Sequence, residues 1–168
     1  VRNMGKYYLA IDIGASSGRH IIAEIVDGKI VLEEVYRFWN GMDDVDGSLC
    51  WDVNRLFNEI VTGIKKCKEI GKIPSYMGID TWGVDFGLID RDGQLIGNPV
   101  CYRDARTAGM VEEMFKTLNP TEHYATTGIQ VMEINTLPQL LSIKGTAQLE
   151  SAQHLLFMPD LFSYFLTG

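Results

Sequence analysis

Near the N-terminus, Asp12-Ile13-Gly14-Ala15-Ser16-Ser17-Gly18-Arg19 gathers the groups that phosphate chemistry uses. Glycines at 14 and 18 permit positive φ and let the backbone come close to a ligand. The N–H groups of such a turn can converge on an anion. Ser16 and Ser17 add hydroxyl donors, and the Arg19 guanidinium suits phosphate oxygens. Asp12 is a hard oxygen ligand of the kind that meets Mg²⁺ through water. A Walker loop would instead need G-x-x-x-x-G-K-[ST] opening a helix. A Gly-Ser hairpin taken alone has a plainer reading, in which the serines serve only the turn's own backbone.

A second segment, Gly78-Ile79-Asp80-Thr81-Trp82-Gly83-Val84-Asp85-Phe86, breaks a strand-like run at Trp82-Gly83. Gly beside Trp at such a break allows a flat aromatic surface and a close backbone approach. Sugars use sites of this kind, with CH faces on a ring and hydroxyls on carboxylates. Structural roles fit the same residues: Trp82 as core packing, Asp80 and Asp85 as turn caps. Arg103, Asp104 and Arg106 are equally open, between a salt-bridge network that holds their loop and a direct part in binding.

These residues need elements to hold them. The sequence predicts strands over Tyr7–Ile13, His20–Val26 and Lys29–Phe38, the last two joined by the hairpin signal Asp27-Gly28. Together they make an antiparallel meander. Asn40–Ser48 reads as a polar loop. Leu56, Ile60, Ile64 and Cys67 recur at helical spacing, so a helix covers most of Asp52–Ile70, with Asp52 as N-cap and Gly71 as stop. Pro74 reads as a break. Met77–Thr81 and Val84–Asp90 read as strands, and Asn98–Arg106 as a loop. Helical patterns follow from Thr107, divided by Pro120, Gly128, Pro138, Gly145 and Pro159. The order of meander, helix, strand and helices suits an α/β, ribonuclease-H-like domain of the actin, Hsp70 and sugar-kinase type. No linker or second core is apparent.

Fifteen Lys+Arg against 22 Asp+Glu give a net charge of −7, which disfavours nucleic acid as a partner. Three scattered cysteines, Cys50, Cys67 and Cys101, suit reduced thiols rather than a disulfide framework or a zinc site. No apolar stretch nears the roughly 20 residues of a membrane span, and no signal-peptide core follows Val1–Lys6. The expected location is the cytoplasm, with no membrane partner.

D-x-G-x-S-S-G-R after the first strand, and G-I-D-T-W-G-V-D-F, resemble motifs of the FGGY carbohydrate kinases, most closely those that act on L-rhamnulose. Cys101-Tyr102-Arg103-Asp104-Ala105-Arg106 resembles the family's aromatic-Arg-Asp-x-Arg loop, with Tyr102 where Trp is commoner. Thr127–Gln130 with Ile134-Asn135-Thr136-Leu137 resembles the segment along one side of the sugar pocket. Met158–Gly168 resembles the P-D-x-x-x-x-x-L-T-G helix, whose helically spaced apolar residues read as scaffold. The resemblance runs from about Tyr7 to Gly168.

The resemblance implies ATP and a small-molecule sugar as partners. The phosphates would lie on Gly14, Ala15, Ser16, Ser17, Gly18 and Arg19, with Mg²⁺ at Asp12. The sugar would border Trp82, Gly83, Asp85, Tyr102, Arg103 and Asn135. Residues 1–168 would form the N-terminal domain, incomplete at its C-terminal end, with the second, ATP-binding domain absent. The general-base Asp is expected beyond Gly168, so this segment would hold no catalytic residue and be inactive alone. Apolar faces left open would favour self-association. Three competing readings remain: a kinase for another ketose such as fuculose or xylulose, a ribonuclease-H-like nuclease using Asp12, Asp80 and Asp85, and a non-catalytic sugar- or nucleotide-binding module.

Overall fold

The computed structural model describes residues 6–168. Contacts divide the chain into two compact units. The first takes in the N-terminal segment through Gly41, Asp52–Trp82 and Met158–Gly168; the second takes in Met42–Trp51 and Gly83–Phe157. The sequence predicts one core. The chain passes between the units without a linker, so no shift in composition marks the division.

In the first unit, β1 (Tyr7–Ile13), β2 (Ser17–Val26) and β3 (Lys29–Trp39) form the expected antiparallel meander. Asp27 and Gly28 take positive φ (49° and 75°), and Val26 pairs with Lys29, so a two-residue turn sets the β2–β3 register. Leu9, Ile11 and Ile13 are buried on one face of β1, and Tyr8, Ala10 and Asp12 lie on the other. Helix α1 (Val53–Glu69) is capped by Asp52, whose Oδ1 accepts the Arg55 N–H at 2.9 Å. Gly71 (φ 74°) follows its end. Val53, Leu56, Ile60 and Cys67 are buried as α1 packs on β2 and β3.

Strand β6 (Pro74–Thr81) runs parallel to β1 and completes a mixed sheet of order β3-β2-β1-β6. Pro74 is thus the first residue of a strand and not a break, a position where the missing N–H is tolerated. Helix α6 (Met158–Thr167) buries Met158, Leu161 and Phe162, the scaffold role its spacing predicts.

In the second unit, β4 (Met42–Val45) and β5 (Ser48–Trp51) form a hairpin where the sequence reads as loop. Its turn, Asp46-Gly47, has φ 52° and 82°, the same chemistry as Asp27-Gly28. β7 (Phe86–Ile89) pairs with β8 (His154–Phe157), a strand that falls in a stretch read as helical. Four short helices lie between them: α2 (Met110–Met114), α3 (Pro120–Thr127), α4 (Thr136–Ser142) and α5 (Ala147–Ser151). Phe86, Leu88 and Ile143 form this unit's own core. No helix among the described residues is long and apolar enough to cross a membrane.

Candidate active site

The β1–β2 connection is a tight loop. The Gly14 N–H donates to Ser17 O at 2.8 Å, closing Gly14-Ala15-Ser16. The loop's carbonyls are held by Asn40, which is 1% exposed. Asn40 N–H donates to Ser16 O at 3.0 Å, and its Nδ2 donates to Gly14 O at 2.8 Å. Its Oδ1 accepts from Gly41 N–H at 2.9 Å and Arg55 Nη2 at 3.3 Å. With carbonyls turned to Asn40, the Ala15 and Ser16 N–H groups make no backbone hydrogen bond among the described residues. The sequence reading missed Asn40; Asn-Gly after a strand was the available signal.

The glycines differ from expectation. Neither Gly14 nor Gly18 is in the left-handed region. Gly18 is required for space: a Cβ there would lie 2.1 Å from Phe38 Cζ, so the ring rests on bare backbone. Arg19 Nε donates to Asp12 Oδ2 at 2.9 Å across the strands, both side chains under half exposed. Register aligns Arg37, Arg19, Asp12 and Asp80 in one row over four strands. Hydroxyls, loop N–H groups, a cation and a carboxylate therefore share one end of this sheet. For Mg²⁺, Asp12 fits a water-mediated contact rather than a full coordination shell. Among the described residues no three His, Cys, Asp or Glu side chains cluster as a metal site.

In the second unit the break after β6 is a γ-turn. Val84 has φ 70°, and the Asp85 N–H donates back to Gly83 O at 3.0 Å. For a β-branched residue this conformation is strained, by about 1–3 kcal/mol. Asp85 departs from its expected sugar-facing place. It is 0% exposed and accepts from Trp51 Nε1 at 2.7 Å, Gln139 Nε2 at 2.9 Å and Tyr102 N–H at 3.1 Å. Its carboxylate acts on the loops around it and is closed to a ligand or metal arriving from solvent. The nuclease reading loses one of its three carboxylates in the same way.

Asp104 is also buried and accepts from Leu49 N–H at 2.7 Å and Arg106 N–H at 2.9 Å. Arg106 Nη2 donates to Gln139 Oε1 at 2.7 Å. Burial pulls the Arg106 guanidinium below its ordinary range, and Asp104 and Asp85 oppose that pull. For Asp104 and Arg106 the loop-holding reading prevails. Arg103 is exposed, its guanidinium 5.3 Å from the Tyr102 ring centroid. Trp82 is half-buried and Gly83 exposed. Asn135 Nδ2 donates to Gln130 O at 2.9 Å. Asn135 also lines an apolar cavity of about 260 Å³ with Val84, Met114, Ile129, Val131 and Leu137. Burial pushes the Cys101 thiol up to about 11, which favours its protonated form near neutral pH.

Residues 7–168 match the model of the N-terminal domain of the FGGY family of carbohydrate kinases. The chain belongs to this family. It is 46% identical over 164 residues to a rhamnulokinase of Halalkalibacterium halodurans, covering 96% of this chain and 35% of that protein. A rhamnulokinase of Bacteroides thetaiotaomicron is 42% identical over 167 residues, covering 98% of this chain and 34% of the relative. The chain thus spans about a third of the length of these relatives. In fold it is similar to a xylulose kinase from Rhodospirillum rubrum, with TM-score 0.78 at 15% identity over 95% of this chain and 34% of that one. A gluconate kinase from Lactobacillus acidophilus gives 0.72 at 16% identity, over 90% and 31%. The mixed sheet and its helices thus have the sugar-kinase architecture expected from the order of elements.

Proposed function

We propose that this chain is the N-terminal part of an ATP-dependent kinase that phosphorylates L-rhamnulose, working in the cytoplasm. The observation that carries the reading is the 46% identity, across nearly the whole segment, to a relative named rhamnulokinase. Geometry supports a division of labour. In the first unit, Ala15 and Ser16 N–H groups, the Ser16 and Ser17 hydroxyls and Arg19 would receive ATP phosphates, with Asp12 holding a water of Mg²⁺. In the second, Gly83, Tyr102, Arg103 and Asn135 would border the sugar. Phosphoryl transfer rests on positioning and charge stabilisation, and the general base would lie beyond Gly168.

L-Rhamnulose is a 6-deoxy ketose, so its one primary hydroxyl is at C1. Phosphorus–proton correlation NMR on the product of a full-length kinase carrying this segment should place the phosphate on that oxygen. Phosphate at a secondary position, or no phosphorylated ketose, would defeat the reading.

A further inference from the structure

The strained γ-turn is gripped from one helix. Thr136 Oγ1, in the first turn of α4, donates to Val84 O at 2.8 Å. Gln139, one turn later and 0% exposed, sends Nε2 to Asp85 Oδ1 and to Ile134 O, each at 2.9 Å, and approaches Val84 O at 3.4 Å. Its other end accepts from Arg106 Nη2 at 2.7 Å. One buried carboxamide thus links the γ-turn, the segment before α4 and the 101–106 loop. Buried amides fully used in this way specify a single local geometry. A valine reaches positive φ only where its surroundings over-determine it.

We propose that Gln139 is a positioning residue: with Thr136 it holds Val84 in the γ-turn, and so fixes the Gly83 backbone against which the sugar binds. This rests on the kinase reading above. Gln139 itself touches no substrate. Its amide supplies the donor that Asp85 and the loop carbonyls need, while its oxygen takes the Arg106 N–H. A hydrocarbon of the same size would fill the space and leave Asp85 and Arg106 short of a partner. Val84 would then relax toward negative φ and carry Gly83 out of place.

The test uses a full-length kinase carrying this segment. Gln139→Met keeps the volume and removes the hydrogen bonds. KM for L-rhamnulose should rise by about tenfold or more, because misplacement of a binding backbone is felt strongly. KM for ATP should stay within about twofold, since phosphate contacts belong to the hairpin. Thr136→Val should raise sugar KM less, in the same sense, and decides the matter if Gln139→Met does not fold. Glycine adopts positive φ unaided, so adding Val84→Gly to Gln139→Met should recover most of the lost sugar affinity. A filler of space would show no such recovery. Unchanged sugar KM, a parallel rise in both KM values, or failure of Val84→Gly to recover affinity would overturn the proposal. If the unsubstituted enzyme does not phosphorylate L-rhamnulose, the functional reading fails on its own. The φ of Val84 in a crystal structure of Gln139→Met would then still decide the positioning claim, with φ kept positive contradicting it.

Discussion

Asp12 carries the sharpest functional expectation at the scale of single residues. Its partner is Arg19, at 2.9 Å on the neighbouring strand, and Asp80 lies beside it in register. The pair is surface-exposed, so its contribution to stability is small. A conserved fold can therefore be expected of Asp12→Asn, with the loss falling on charge stabilisation during transfer. In a full-length enzyme, kcat should drop by about a hundredfold or more while sugar KM moves by less than roughly threefold. Steady-state kinetics over a Mg²⁺ titration would check this. Equal kcat with unchanged Mg²⁺ dependence would remove the metal role from Asp12. Residue types announced this hairpin well. They did not announce that Gly18 is there for the Phe38 ring, because a contact between strands is not visible in local spacing. Asp85 shows the same limit more sharply. A carboxylate beside a glycine reads alike whether it faces a ligand or is buried under Trp51 and Gln139.

Between elements, the contact of α1 with the sheet makes a pH prediction. His20 is buried on β2, its Nε2 donating to Ile60 O at 3.1 Å, with the Tyr36 and Phe38 rings 5.7 and 6.2 Å away. Gly63 admits the imidazole: a Cβ there would lie 2.3 Å from its ring atoms. Burial holds His20 below its ordinary 6.5, outweighing the Ile60 carbonyl and Glu59. The folded state refuses a proton that the unfolded chain accepts. Stability contributed by the neutral ring is therefore complete above 6.5 and declines as pH falls from there toward the lower folded-state value. Urea midpoints measured from about pH 7.5 down to about pH 5 should fall, and His20→Phe should flatten that part of the curve. An unchanged slope would show that other groups set it. Legibility at this scale followed pattern length. The meander and α1 have long periodic signals and strong caps. The β4–β5 hairpin and β8 span four residues per strand, too few to show alternation. Asp46-Gly47 nevertheless carries the same turn chemistry as Asp27-Gly28.

For the whole molecule, the sheet face opposite α1 is informative. Register places Tyr8, Leu32 and Tyr76 in one cross-strand row, with Ile25 and Ile30 in the next, and all are exposed. Ile30 reaches 73% and Leu32 65%, and β3 is a sheet edge. Apolar area of this kind on an edge favours association. The 168-residue chain alone should therefore self-associate with rising concentration in sedimentation velocity, and Ile30→Lys with Leu32→Lys should shift it toward monomer. A monomer at all concentrations would count against that face. The same chain should release no sugar-dependent ADP, because the proposal places the general base outside it. The central claim, that the segment belongs to a kinase selective for L-rhamnulose, is tested most directly by one measurement. In a full-length kinase carrying it, kcat/KM for L-rhamnulose, L-fuculose and D-xylulose should be compared in a coupled ADP-release assay. The account predicts L-rhamnulose ahead by about tenfold or more; equal or higher kcat/KM for either other ketose would contradict it.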